Sequence, residues 1–155
     1  DVYKRQDQDL YVANDFGRNN LFRNDGGKFV DVAAQSGVED SASGMAVTWG
    51  DYNRDGNMDV YVSNMFSAAG NRITYQDQFK PDAPTEVRKR LQRFARGSTL
   101  MKASGSGSFD DVSEAAGVAI ARWAWGTSFA DLNNDGWQDI LVANGNITGE
   151  DPGDL

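Results

Sequence analysis

The chain has 155 residues, no cysteine, no histidine and a formal charge of −8, from 15 Lys+Arg against 23 Asp+Glu. The two zeros exclude disulfides, thiol nucleophiles, zinc held by Cys or His, and imidazole acid–base chemistry, which leaves hard, oxygen-liking cations as the metals in play. An acidic balance repels phosphate backbones and no apolar run approaches the ~20 residues that cross a bilayer, so neither nucleic acid nor membrane insertion is expected. Seventeen Gly against three Pro point to many tight turns between short strands.

In chain order, Asp1-Val2-Tyr3-Lys4-Arg5-Gln6 comes first. These residues are the in-frame translation of GATGTGTATAAGAGACAG, the transposase end used to build sequencing libraries. Residues 1–6 are therefore read as adapter sequence on a gene fragment, with the natural protein continuing upstream of Asp7. Asp9-Leu10-Tyr11-Val12-Ala13-Asn14 is the first strand motif. Leu21-Phe22-Arg23 and Phe29-Val30-Asp31-Val32 follow as a hairpin around Asn24-Asp25-Gly26-Gly27, an Asp-Gly turn signal. Ala46-Val47-Thr48-Trp49 and Val60-Tyr61-Val62 flank an acidic loop and form the next hairpin.

An extra segment, roughly residues 66–98, interrupts the pattern with seven basic and three acidic residues, so it carries +4 and leaves −12 elsewhere. Within it, residues 84–96 read as a helix with Val87, Leu91 and Phe94 on one face, basic residues over much of the rest, and Gly97 as the stop. The helix either docks an anionic partner or packs on its own acidic domain through charge and that apolar stripe; the second reading is preferred. Leu100-Met101-Lys102 and Phe109-Asp110-Asp111-Val112 then repeat the earlier hairpin, and a final acidic loop closes the pattern.

The chain repeats itself. Residues 51–64 (DYNRDGNMDVYVSN) and 131–144 (DLNNDGWQDILVAN) share seven of fourteen positions at an offset of 80, and FVDVAAQSGV at 29–38 recurs as FDDVSEAAGV at 109–118 with the same offset. Asp9 to Asn14 matches Asp59 to Asn64 at an offset of 50. Four strands per repeated unit is the pattern of a β-propeller blade. The expected fold is thus all-β: a β-propeller fragment of about two and a quarter four-stranded blades with a helical insert, holding three strands of one blade, four of the next and two of a third. The expected blade pieces are about 7–38, 44–118 and 122–155. Trp49 and the pair Trp123 and Trp125 are expected to fill space between blades, with Trp137 on a loop.

The acidic loops carry the chemistry. Asp51, Asn53, Asp55 and Asp59, with the carbonyl of Asn57, place oxygen donors at positions 1, 3, 5, 7 and 9 around Gly56. Asp131, Asn133, Asp135 and Asp139, with the carbonyl of Trp137, do the same around Gly136. Alternate side chains of a tight loop converge on one point, and this donor set suits Ca²⁺, with its six to eight oxygen ligands, better than Mg²⁺. Two Ca²⁺ sites are expected. An EF-hand also needs a bidentate Glu at position 12, where this chain has Val62 and Val142, so that reading fails. The competing reading is a pair of metal-free Asx-turn hairpins. Only Asp9 remains of a corresponding loop in the first unit, and no working site is expected there.

These loops and repeats resemble FG-GAP/VCBS repeats, the calcium-loop blades of integrin-type propellers. The runs DLYVANDFGRNNLFRNDGGKFVDVA, SNMFSAAGNRITYQDQFKPDA and RWAWGTSFADLNNDGWQDILVANGNITGEDP also resemble bacterial proteins of the ASPIC/UnbV, cartilage-acidic-protein-like group. The literal Phe-Gly…Gly-Ala-Pro signature is missing, with Trp49-Gly50 and Phe129-Ala130 in its place, and the group's C-terminal domain is absent. The resemblance implies a secreted, periplasmic or surface-exposed calcium propeller, usually seven-bladed, with no established enzymatic activity. The expected function is a non-catalytic module that binds an unidentified protein or glycan. The alternative is a calcium-dependent polysaccharide lyase-like enzyme, with Ca²⁺ neutralising a substrate uronate.

Overall fold

The computed structural model describes residues 7–145, so the adapter reading of 1–6 and the last ten residues lie outside the described part. It is an all-β repeat structure of three antiparallel sheets. β1 (Leu10–Val12), β2 (Asn20–Asp25) and β3 (Lys28–Asp31) form the first. β4 (Gly44–Gly50), β5 (Asp59–Asn64), β6 (Thr99–Ala103) and β7 (Phe109–Asp111) form the second, and β8 (Ala124–Ala130) pairs with β9 (Asp139–Asn144) in the third. Three, four and two strands are the counts the repeat arithmetic leads to. One short helix, α1 (Ala33–Ser36), follows β3, while α2 (Ala68–Thr74) and α3 (Thr85–Arg96) lie between β5 and β6.

Register repeats along with sequence. Trp49 pairs with Val60 as Phe129 pairs with Ile140, and both hairpins shift register at the same place, between Gly44 and Ala46 and between Ala124 and Gly126. Such a bulge bends a strand and re-aims its side chains. At Gly44 the bend brings the backbone against its neighbour: a Cβ there would lie 3.1 Å from that of Ala13.

The core lies between sheets. Tyr11, Leu21, Val32, Ala33 and Val38 of the first unit pack against Val60, Val62 and Met101 of the second, joined by Trp49 and Phe109 at the edge. Every residue of β5 is buried because both of its faces are covered. Val60 and Val62 face the first unit, while Tyr61 meets Phe129 of the third edge-to-face at 6.4 Å. Alternate side chains point to opposite faces, so a strand buried on both sides is apolar or hydrogen-bonded throughout. Burying each large apolar side chain contributes about 1.5–3 kcal/mol.

The aromatic contact between units is itself repeated. Tyr11 meets Trp49 edge-to-face at 6.3 Å, and Tyr61 meets Phe129 in the same way one unit later. Trp123 and Trp125, in the last described unit, are 47% and 50% exposed. At the offset of 80, Phe129 and not either Trp occupies the place of Trp49. Among the described residues no further sheet covers the face on which the two indoles lie.

The insert departs from expectation in two ways. It holds a second helix, α2, capped by the Ser67 side chain, which accepts from the Gly70 N–H at 2.9 Å. And α3 does not bury the stripe of Val87, Leu91 and Phe94: Val87 and Phe94 are exposed, and Ala95 is the buried residue. Charge holds α3 instead. Arg93 reaches the buried Asp40 and Arg96 reaches Asp111, both through close ion pairs. Asp40 Oδ2 also accepts from Asn64 Nδ2 at 2.9 Å and from the Thr99 hydroxyl at 2.6 Å, so one carboxylate ties the inter-unit linker, β5, β6 and α3 together.

Candidate metal centre

Each acidic loop is a compact set of Asx turns. In the first, the Asp55 N–H donates to Asp51 Oδ1 at 3.0 Å and to Asn53 Oδ1 at 3.1 Å, and the Gly56 N–H donates to Asp51 Oδ2 at 2.9 Å. The second repeats these bonds: Asp135 N–H to Asp131 and Asn133 at 3.1 Å each, and Gly136 N–H to Asp131 at 2.9 Å. The backbone agrees as closely. Arg54 and Asn134 at position 4 have φ of 59° and 61°, and Gly56 and Gly136 both have φ of 85°. Two left-handed residues close together make the sharp turn, and at position 6 glycine takes it without the cost a Cβ would impose.

The carboxylates differ in protonation tendency. Asp55 is held below its ordinary range by the Asn57 N–H, then by the side chains of Asn57 and Asn53 and the charge of Lys102. Asp135 is lowered by the Trp137 N–H, then by the Asn133 side chain and the charge of Arg54. Both stay ionised at neutral pH. Asp59 is the opposite case: burial pushes its carboxyl up, against the N–H of Ala103 and Tyr52 and with the charges of Asp55 and Asp51 adding to the rise.

Asp59 also has a second task that its place in the loop motif does not reveal. Its Oδ1 accepts the Ala103 N–H at 2.8 Å, pinning β6 to the start of β5. Asp9 performs the same task in the first unit, accepting the Asn24 N–H at 2.8 Å. Pairing makes the two donors equivalent, since Asn24 lies opposite Phe29 as Ala103 lies opposite Phe109. Asp at position 9 thus makes the same third-strand contact in both units, and the alignment of Asp9 with Asp59 at an offset of 50 is its signal in the sequence.

The other oxygen of Asp59 bears on the metal. Asp59 Oδ2 is buried and makes no hydrogen bond, whereas the equivalent Asp139 Oδ2 accepts the Leu132 N–H at 3.0 Å. A buried, unpartnered carboxylate oxygen carries a desolvation cost of several kcal/mol that a cation would offset. Among the described residues no three acidic side chains are gathered into a carboxylate-only cage, so a metal here depends on the Asn side chains and the position-7 carbonyls as well. The ammonium of Lys102 stands 3.6 Å from Asp55 Oδ2 and brings a positive charge to the first loop from a neighbouring strand. The guanidinium of Arg54, in the first loop, lies over the ring of Trp137, in the second, at 5.3 Å, so the loops touch each other through their tips. Carboxylate, amide and carbonyl oxygens are the donors a hard divalent cation takes, and the unpartnered Asp59 oxygen is the observation that favours one at the first loop.

Residues 1–62 and 93–142 match the model of the FG-GAP-like repeat. The unmatched stretch between them takes in most of the insert. Mouse cartilage acidic protein 1 is 35% identical over 92 residues, 52% of this chain and 14% of that protein. The same protein from Xenopus tropicalis is 43% identical and from human 45% identical, each over 58 residues, 36% of this chain and 9% of theirs. The chain therefore spans a small part of the length of these relatives.

Proposed function

The chain belongs to the FG-GAP-like repeat family, and on that premise we propose that it is a calcium-binding, non-catalytic part of a β-propeller that presents a surface to a protein or glycan outside the cell. Asp51, Asn53, Asp55, the Asn57 carbonyl and Asp59 hold one Ca²⁺. Asp131, Asn133, Asp135, the Trp137 carbonyl and Asp139 hold the other. The observation that carries this reading is the duplicated geometry: two loops 80 residues apart with the same hydrogen bonds and the same pair of left-handed residues. The cation supplies charge neutralisation. Three carboxylates in a nine-residue loop repel one another, and a bound divalent ion turns that repulsion into a fixed hairpin corner. No helix among the described residues is long and apolar enough to cross a membrane, which accords with a domain working in solution or at a surface.

Thermal melts of the metal-stripped chain against rising Ca²⁺, with Mg²⁺ as control, test the reading. Binding to the folded state alone stabilises by about 2.7 kcal/mol at a hundredfold excess over Kd. A calcium-selective rise in Tm is expected, with Asp55→Ala and Asp135→Ala each removing part of it and the double variant removing all of it. An unmoved Tm in a chain shown by circular dichroism to be folded would return both loops to metal-free turns.

A further inference from the structure

Separate from the acidic loops, a cavity of about 380 Å³ opens between α3 and the loop that joins β1 to β2. Its walls include Phe16, Leu91 and Phe94, with Arg18, Arg90 and Ser41 completing the rim. Phe16 is 84% exposed and Phe94 42%, so the first ring lies largely in water and the second partly so. Leu91 and Phe94 of α3 thus line the cleft beside the preceding unit's loop, Leu91 half-buried and Phe94 exposed, while Arg93 and Arg96 dock the helix.

Charge indicates what would cover it. The segment 66–98 carries +4 while the rest of the chain carries −12, so an anionic partner is repelled nearly everywhere else. Within α3, Arg93 is neutralised by Asp40, Arg96 by Asp111 and Glu114, and Lys89 pairs with Glu86. Arg88 and Arg90 have no ion-pair partner among the described residues. Among the described residues Arg18 makes an exposed ion pair with Glu39 at 2.9 Å, an interaction worth little in water and readily exchanged, and its charge also acts on Asp31.

We propose that the cleft between α3 and the β1–β2 loop is a docking site for an acidic peptide segment of a partner protein, which seats a bulky apolar side chain between Phe16 and Phe94 and sets carboxylates against Arg90 and Arg18. Apolar walls with a basic rim fit an anchored peptide better than a sulfated polysaccharide, which needs a row of cations and has no apolar anchor to bury.

A displayed library of random twelve-residue peptides, selected on the immobilised 155-residue chain in saturating Ca²⁺, tests this. The expected result is enrichment of sequences with Asp or Glu flanking a Leu, Phe or Trp. Representative synthetic peptides should then bind at least tenfold more weakly to Arg90→Glu and to Phe94→Ser. All three positions tested, with Phe16→Ser, are exposed, so unchanged melting curves are expected and separate lost binding from lost folding. Enrichment without an acidic consensus, or binding that the variants leave unmoved, overturns the proposal. Displacement of the peptides by a heparin oligosaccharide that itself binds more tightly makes the occupant a polysaccharide. Self-association in sedimentation velocity that Phe94→Ser abolishes makes it a second copy of the chain.

Discussion

The loop at 51–59 and the loop at 131–139 make the same internal hydrogen bonds, yet the strands that follow them live in different surroundings. β5 is buried along its whole length, whereas β9, with four of the same six register positions apolar, is half exposed. The difference comes from neighbours. β5 has β6 beside it and a sheet on either face; β9 pairs only with β8 among the described residues. Local sequence therefore fixes the loop, and the adjoining sheet decides how much carboxylate and apolar surface is withdrawn from water. Asp59 is the sharpest case, with one oxygen bound to a third strand and the other buried without a partner, while Asp139 lacks the third-strand contact and accepts a loop N–H instead.

The largest expected effect follows from equivalent positions. Tyr61 is 1% exposed and its counterpart Leu141 is 51% exposed. Tyr61→Ala should cost about 3–5 kcal/mol in urea unfolding, and Leu141→Ala no more than about 0.5 kcal/mol. Equal costs would mean that β9 is as well packed as β5 and would erase the contrast. A smaller effect probes the repeated tyrosine. Tyr11 donates its hydroxyl to the Val38 carbonyl at 2.9 Å, and Tyr61 to the Val118 carbonyl at 3.1 Å. Tyr11→Phe and Tyr61→Phe should each cost about 0.5–1.5 kcal/mol by the same assay, since the Tyr11 oxygen also accepts from Asn19 and the Tyr61 hydroxyl also interacts with Ser98.

Lys102 offers a way to set the two loops apart as metal sites. Its ammonium reaches Asp55, and no strand delivers an equivalent charge to the second loop among the described residues. Lys102→Met, measured by calorimetric titration in an Asp135→Ala background, should tighten Ca²⁺ binding by up to about fivefold, the scale of an exposed ion pair. In an Asp55→Ala background the same change should do nothing.

The smallest effect is in acid. Burial alone would raise the Asp111 carboxyl, but the Ser113 hydroxyl, Arg96 and the Ser113 N–H outweigh it and hold it below its ordinary range. Its stabilising contribution is complete above the unfolded value near 4 and fades as pH falls through the lower folded value. Asp111→Asn should flatten the stability profile below about pH 4, and added salt should weaken the parent's dependence because an arginine is involved. Asp31, 80 residues earlier, is lowered chiefly by the Ala33 N–H and the Asn20 side chain, so Arg96→Met should leave its titration by carbon-13 NMR unmoved.

What was legible in the sequence was whatever is repeated and local. The offset of 80 located both acidic loops, both flanking hairpins and the interruption before residue 98, because turn chemistry and strand alternation act over a few residues. The same offset makes Phe129 the counterpart of Trp49, each meeting a tyrosine of the preceding unit. The helix at 84–96 was legible from its period, but not which face it buries. A stripe of Val87, Leu91 and Phe94 reads as inward, and only the position of Asp40, in a linker over fifty residues earlier, shows that Arg93 goes in and the stripe stays out.

The sequence by itself determined the repeat, the strands and the shape of each acidic loop, since all of these arise from hydrogen bonds and φ preferences within about ten residues. Tertiary structure alone decided which carboxylate oxygen is buried without a partner, which aromatic ring joins one unit to the next, and which face of α3 meets water. Those outcomes depend on contacts between residues far apart in the chain, such as Tyr61 with Phe129 and Arg93 with Asp40, whose pairing is set by how the sheets pack and is written in no single segment of the chain.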